Sequence, residues 1–311
     1  MQVPTKEALD TLFESLSNWG RWGNDDEFGT LNHLRPEHAA RAASLVREGR
    51  SISLSHDLDL TPTPETPIPA QHHMLASGDA RDGSGIPGYE AARDFVGAHV
   101  HGLGVTHIDA LCHMFVRGKM YNGVPAEEVR SDGARRNTVL SFADGIVGRG
   151  LLLDIAHARG IDFIDGHEAI RLVEVEESLE RQGIVVETGD ILLVASGRCA
   201  RRRLAGGPLD PADGMVGLHA ECLPWLRERE ISVLGSDGIS DPLPGLGVPE
   251  WPFPIHQIGI TGLGLPLIDN LALGALSKAC VAAERWTFLF MLGAMRVPGA
   301  TGCPVNPIAL L

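Results

Sequence analysis

The chain has 311 residues, of which 44% are hydrophobic and 21% are charged, and 26 Lys and Arg stand against 40 Asp and Glu. The resulting net charge of −14 repels nucleic-acid phosphates and anionic lipid surfaces, so neither is an expected partner. The sequence shows no apolar run of the roughly 18 residues that a membrane span needs, and its start lacks the apolar stretch of a secretory signal. We therefore expect a soluble, cytoplasmic protein, and its 37 Gly and 20 Pro predict a loop-rich α/β fold.

The N-terminal third of the chain predicts two helices, a strand and a long irregular segment. Apolar periodicity indicates one helix over about residues 6–17 and a second from Pro36 to about Gly49. The alternating stretch SISLSHDLDL, residues 51–60, predicts a strand. Residues 61–89 are rich in Pro, Gly and small polar side chains, which is typical of a lid, an arm or a disordered segment.

The remaining chain predicts strands alternating with helices in a single domain. Apolar runs indicate buried strands, and segments with helical spacing lie between them. The predicted strands are residues 148–156, 189–197, 231–237, 286–297 and 304–311, and the predicted helices are 166–183, 217–230 and 270–284. We find no internal repeat and no linker, so we predict one domain in which residues 1–50 form a helical extension packed on a catalytic region, residues 51–311.

Four of the 13 histidines and an aspartate lie within residues 99–113, in the sequence HVHGLGVTHIDALCH. In an extended segment His107 and Asp109 share one face, and His113 follows at a spacing that returns its imidazole if the chain turns into a helix. Imidazole and carboxylate ligands suit Zn²⁺, Mn²⁺ or Fe²⁺. The pattern indicates a metal site, with a cluster of structural histidines as the alternative.

The run Thr106-His107-Ile108-Asp109-Ala110, followed by His113, resembles the HxGTHxDxPxH signature of the cyclase family, which includes bacterial kynurenine formamidase and isatin hydrolase. The resemblance extends, in order, over roughly residues 95–311. It implies a swivelling β/β/α fold, an α/β architecture with a β-barrel-like core flanked by helices. It also implies a small-molecule substrate and a homodimer or higher homo-oligomer.

The same resemblance implies the roles of several side chains. His107 and Asp109 would bind a metal, and His256 and Asp269 would complete the ligand set. His113 would transfer protons as base or acid.

Two positions depart from the family pattern and reduce the expected metal content. Leu103 stands where the family has its first histidine, and Asp269 stands where it has a glutamate. An aliphatic side chain cannot bind a metal, and the aspartate reaches less far by one methylene. We therefore predict one divalent ion, Zn or Mn, rather than two, with His101 as a possible replacement ligand if the backbone bulges.

These features predict a metal-dependent hydrolase that cleaves an amide, formamide or lactone bond in a small cyclic or aromatic metabolite. A divalent ion would lower the pKa of water and polarise a carbonyl, and His113 would move the proton. One alternative is a cyclase, dehydratase or isomerase that uses histidine and carboxylate proton transfer, with or without a metal. Another is a catalytically inactive binding protein.

Other side chains have both a functional and a structural interpretation. Trp19, Trp22 and Phe28 would wall an aromatic substrate pocket or pin down the N-terminal segment. Cys112 is an alternative nucleophile, although five scattered cysteines without a CxxC pair indicate neither disulfides nor a zinc ribbon. The basic run at 198–203 would form a solvated loop or bind an anion, and the acidic turn at 236–241 would be functional or merely cap a strand end.

Overall fold

A computed structural model describes residues 4–79 and 85–311 and shows a mixed nine-stranded sheet that curls into a half-barrel flanked by helices. This architecture confirms the expected α/β fold with a barrel-like core. The strands are β1 (Ser51–Ser53), β2 (Gln71–Ala76), β3 (Arg93–Gly97), β4 (His107–Asp109), β5 (Val129–Arg130), β6 (Gly133–Ala134), β7 (Ile146–Asp154), β8 (Ala169–Ile170), β9 (Ile191–Ala195), β10 (Gly217–Leu218), β11 (Val233–Ser236), β12 (Leu267–Asp269), β13 (Thr287–Leu292), β14 (Gly302–Pro304) and β15 (Ile308–Leu310).

Most helices are short and follow the strands. The α-helices are α1 (Lys6–Leu16), α2 (Pro36–Ala43), α3 (Ile155–Ala158), α4 (Leu172–Gln182), α5 (Arg198–Ala205), α6 (Leu223–Glu228), α7 (Pro254–His256) and α8 (Gly274–Ala283). A π-helical stretch, Gln257–Leu263, continues α7. Short 3₁₀ turns lie at Gly29–His33, Tyr121–Gly123, Ala126–Glu128, Val139–Phe142, Pro211–Asp213 and Ala220–Cys222.

The order of strands in the main sheet is β1-β15-β13-β7-β9-β11-β12-β4-β14. The central strands β7, β9, β11 and β12 are parallel, so their carboxyl ends lie at one edge of the sheet. Strand β4 runs antiparallel to β12, and its first residue, His107, pairs with the last residue of β12, Asp269. The topology therefore brings the histidine-rich segment to the edge where open α/β sheets place ligands.

Both faces of the sheet are buried, which is why its strands have nearly continuous apolar sequences. Successive residues of β7 enter opposite cores: Leu151 and Leu153 face α1, α4 and α6, whereas Leu152 faces α8. Within the described ranges, no helix is both long and apolar enough to cross a membrane.

The predicted elements are confirmed at the centre of the sheet and differ at its periphery. Strands β7, β9, β11 and β13 and helices α1, α4 and α8 lie where periodicity places them, but α2 ends at Ala43 and β1 covers only Ser51–Ser53. Residues 304–311 contribute to two strands rather than one, because Asn306 and Pro307 separate β14 from β15. The Pro-rich segment contains β2, which pairs with β3 in an antiparallel hairpin.

The N-terminal segment packs against the π-helical region through a close contact between Gly29 and Gly264. Gly29 and Gly264 have φ angles of +57° and +71°, and the Thr30 amide donates to the Gly264 carbonyl at 2.8 Å. A Cβ added to Gly29 would lie 2.0 Å from the Gly264 carbonyl oxygen, so no side chain fits there.

We predict that Gly29→Ala destabilises the protein much more than Gly49→Ala. Both positions have positive φ, but a Cβ at Gly49 meets nothing within 4 Å. Gly49→Ala should cost only the left-handed backbone strain, about 1 kcal/mol. Gly29→Ala should cost about 3 kcal/mol or more because the backbone itself must move. Urea unfolding followed by circular dichroism measures the difference, and equal midpoints for the two variants would contradict it.

Candidate metal centre

Three ligand-type side chains converge where β4 meets β12. His107 and Asp109 lie on the same face of β4, with the His107 Nε2 atom 3.4 Å from Asp109 Oδ1. Asp269 lies beside His107 in the antiparallel pairing. His256 enters from α7, and its Nε2 atom is 3.2 Å from Asp269 Oδ2 and 3.4 Å from Asp109 Oδ2. The structure thus brings together residues that are up to 162 positions apart in the sequence.

Neighbouring groups fix the orientation of both imidazoles. The Nδ1 atom of His107 donates to the Val105 carbonyl at 2.8 Å, so its Nε2 atom faces Asp109. The Nδ1 atom of His256 lies 2.7 Å from Asp241 Oδ2, and Asp241 also accepts from the amides of Ile255 and His256. A carboxylate or carbonyl behind each histidine is the usual support of metal-binding imidazoles.

His101 also lies beside Asp109. Its Nδ1 atom lies 2.8 Å from Asp109 Oδ1, and its Nε2 atom lies 3.0 Å from Thr301 Oγ1. The His101 ring stacks on His113 with a centroid distance of 3.7 Å and an interplanar angle of 8°. Leu103 lines the same cavity but offers only an aliphatic side chain.

The loop that carries His101 is held by two buried side chains from distant elements. Asn270, just after β12, donates to the carbonyls of Gly102 and Val105 at 2.7 and 3.1 Å. Arg198, at the start of α5, donates to the Leu103 carbonyl at 2.8 Å and forms a buried ion pair with Glu65. These contacts bend the chain before β4 so that His101 reaches Asp109.

The charges at the site depend strongly on burial. Burial alone would raise the pKa of Asp109, but the adjacent imidazoles of His101, His107 and His256 hold that pKa well below its usual range. Burial likewise opposes the charged form of His107, yet the hydrogen bond and charge of Asp109 and the charge of Asp269 raise its pKa to about 9. His113 lacks such a close partner, since its Nε2 atom is 4.0 Å from Asp109 Oδ1, and burial lowers its pKa to about 4.

The side chains fit a divalent cation. The Oδ2 atom of Asp109 is buried and accepts no hydrogen bond, which is costly for a carboxylate unless a cation binds it. Two sets of ligand atoms, each lying within 4.8 Å of one another, share Asp109: one set adds His101 and His113, the other adds His107 and Asp269. Imidazole and carboxylate oxygen together suit Zn²⁺ or Mn²⁺.

The cluster forms the floor of a cavity of about 340 Å³. Its walls are apolar and consist of Leu103, Met114, Ile239 and Phe253. This volume and polarity are typical of a site for a small organic ligand.

The structure does not place the predicted aromatic residues in this cavity. The Trp19 indole donates to the Thr261 carbonyl at 2.7 Å and packs on Phe13, and Trp22 packs on His33. Phe28 is 52% exposed. Of the two interpretations given for Trp19, Trp22 and Phe28, the contacts of the tryptophans agree with attachment of the N-terminal segment to the body, and none of the three lines this cavity.

Two further expectations change on the structure. The basic run at 198–203 is helix α5 rather than a solvated loop, and its first residue, Arg198, is only 4% exposed. Burial raises the pKa of the Cys112 thiol to about 12, so a nucleophilic thiolate is not available there.

The acidic turn has an identifiable role, because Asp241 orients His256 and Asp237 accepts from the amides of Ser196 and Arg198.

Sequence reasoning missed Arg198, Asn270, Met114 and Phe253. Arg198 and Asn270 bind backbone carbonyls of a loop far away in the sequence, and Met114 and Phe253 are ordinary apolar residues that only the fold brings to the cavity. The sequence offers one signal for Asn270, its position directly after the predicted ligand Asp269.

The family model described as "Putative cyclase" matches residues 52–241, more than half of the chain. The chain belongs to the cyclase family. No curated protein matches this chain.

Solved structures share the fold of this chain over most of its length. A crystal structure described as a novel cyclase is 28% identical, with a TM-score of 0.86, and the match covers 96% of this chain and 99% of that chain. Isatin hydrolase A from Labrenzia aggregata, bound to benzyl benzoate, is 19% identical with a TM-score of 0.57, and the match covers 90% and 98% of the two chains. Isatin hydrolase A from Ralstonia solanacearum is 18% identical with a TM-score of 0.57, covering 89% and 96%.

We predict that the pKa values of His107 and His113 differ widely in the metal-free protein. His107 should stay protonated up to about pH 9, whereas His113 should stay neutral down to about pH 4. Because the folded pKa of His107 is raised, its contribution to stability is complete below its unfolded pKa, about 6.5, and is lost as pH rises towards 9.

Nitrogen-15 NMR of the imidazoles measures both titrations, with His107→Gln and His113→Gln providing the assignments. A His107 that loses its proton below pH 7 would contradict the prediction.

Proposed function

We propose that this cyclase-family protein is a metal-dependent hydrolase that cleaves an amide, formamide or lactone bond in a small cyclic or aromatic molecule. The observation that carries the proposal is the fully buried Asp109 Oδ2 atom, which accepts no hydrogen bond and lies at the meeting point of two histidine and aspartate ligand sets. The shared fold with two isatin hydrolases supports it, as does the apolar cavity above the cluster.

We propose that His107, Asp109, His256 and Asp269 hold one Zn²⁺ or Mn²⁺ ion and that His101 stands in for the absent histidine at 103. When bound, a divalent ion at such a site polarises a carbonyl group and lowers the pKa of water. Val105 and Asp241 keep the donor nitrogens of His107 and His256 pointing inward.

His113 has the properties of the proton-transfer group. Burial keeps its imidazole neutral at physiological pH, so it can accept a proton from the attacking water. It can then return that proton to the leaving nitrogen or oxygen. Its ring is held in place by stacking on His101, and it lines the cavity together with Met114.

Removal of the shared carboxylate should remove the metal. We predict that Asp109→Asn purifies with less than a tenth of the wild-type Zn or Mn content, measured by inductively coupled plasma mass spectrometry. Asp132→Asn is the matched control, because Asp132 pairs with Arg135 on the surface, outside the cluster.

Wild-type turnover of formanilide, phenyl acetate or an aromatic lactone should stop on chelation and return with added metal. Undiminished turnover in the chelated protein would overturn the metal requirement and favour proton-transfer chemistry of the cyclase, dehydratase or isomerase type.

A separate substitution distinguishes a proton-transfer role of His113 from a ligand role. We predict that His113→Gln lowers kcat by about 10²–10⁴-fold while metal content stays at the wild-type level. Loss of the metal together with activity would instead show that His113 is a ligand in the set that contains His101 and Asp109.

A further inference from the structure

Among the described residues that line it, the cavity above the metal cluster contains no lysine or arginine side chain, and its histidines are the proposed ligands and proton-transfer group. The walls are Leu103, Met114, Ile239 and Phe253, and the polar groups all belong to the histidine and aspartate floor apart from the backbone of Gly102.

Arg198 lies behind the cavity but cannot serve a ligand. Its guanidinium is 4% exposed and donates to Glu65, to Asn270 Oδ1 and to the carbonyls of Leu103 and Asp237. Turning it towards the cavity would leave the buried Glu65 carboxylate without its main partner, which is strongly unfavourable.

The floor itself offers no spare positive charge. If one divalent ion binds as proposed, the carboxylates of Asp109 and Asp269 already balance it. Asp241, buried behind His256, adds a third negative charge close to the same point. An anionic group on a substrate would therefore be desolvated against apolar walls without a counter-charge, which is costly.

We infer that the cavity selects an uncharged substrate, an aromatic or alicyclic ester, lactone or amide without a carboxylate, and that Leu103 and Met114 determine this preference. This inference rests on the proposed hydrolase function and narrows its substrate class. Leu103 contributes an apolar side chain to the wall of the cavity that Asp109 also lines. Substrates of the amino-acid type, which carry a carboxylate, are disfavoured.

The test compares two pairs of probes that differ only by a carboxylate. Phenyl acetate is compared with 4-acetoxybenzoate, and formanilide with 4-formamidobenzoate, each rate being normalised to its uncatalysed rate. In the metal-loaded wild type, kcat/KM should favour the neutral member of each pair by at least about tenfold. Equal values, or a preference for the anion, would overturn the inference.

Two substitutions place a cation in the cavity and should weaken or invert the preference for the neutral probe. Met114→Lys at the rim should reduce the preference for the neutral probe to less than about threefold or invert it, and Leu103→Lys provides a second position if the first variant does not fold. Val173→Lys is the control, since it adds the same charge at a 57% exposed position on α4. A preference that is unchanged in both folded cavity variants would show that the cavity does not determine it.

Failure of the hydrolase proposal is distinguishable from failure of this inference. If no probe in either pair is hydrolysed, the hydrolase proposal fails, and binding alone decides the inference. Saturation-transfer NMR would then compare benzamide with 4-carbamoylbenzoate on the metal-loaded protein. Tighter binding of benzamide supports the uncharged ligand class, and equal or weaker binding of benzamide overturns it.

Discussion

The buried carboxylate of Asp109 is the constraint on which the arrangement of the site depends. It is fully buried, and the nitrogen atoms of His101, His107 and His256 lie within 2.8–3.4 Å of its oxygens. A carboxylate in such a position is tolerable only with compensating positive charge. The raised pKa values of His107 and His256 favour their protonated forms, which supply that charge in the metal-free protein, and a divalent cation would supply it in the proposed holoenzyme.

The sheet and the loop before β4 provide this geometry in different ways. Pairing of β4 with β12 fixes His107 opposite Asp269 through backbone hydrogen bonds, which tolerate side-chain variation. The position of His101 instead depends on side chains, because Asn270 and Arg198 bind the carbonyls of its loop. The same loop carries Leu103 and brings the imidazole of His101 to Asp109.

The sequence predicted the parts of the molecule that depend on local pattern or on a motif. The central strands follow from their apolar runs, and the motif around His107 indicated the family. The position of His101 depends on Arg198 and Asn270, which are far away in the sequence, so local pattern does not determine it. The sequence left two interpretations open for Trp19, because the partner of its indole N–H, the Thr261 carbonyl, is 242 positions away along the chain.

The ion pair between Glu65 and Arg198 has a consequence for the Pro-rich segment that surrounds Glu65. Local opening of residues 61–70 would remove Glu65 from the buried guanidinium of Arg198. Loss of this ion pair would cost about 3–5 kcal/mol. Opening would also release the carbonyl contact that holds the loop of His101. A stretch whose composition suggests disorder is therefore tied to the floor of the site, so that insertions near Glu65 would be tolerated poorly despite its loop-like sequence.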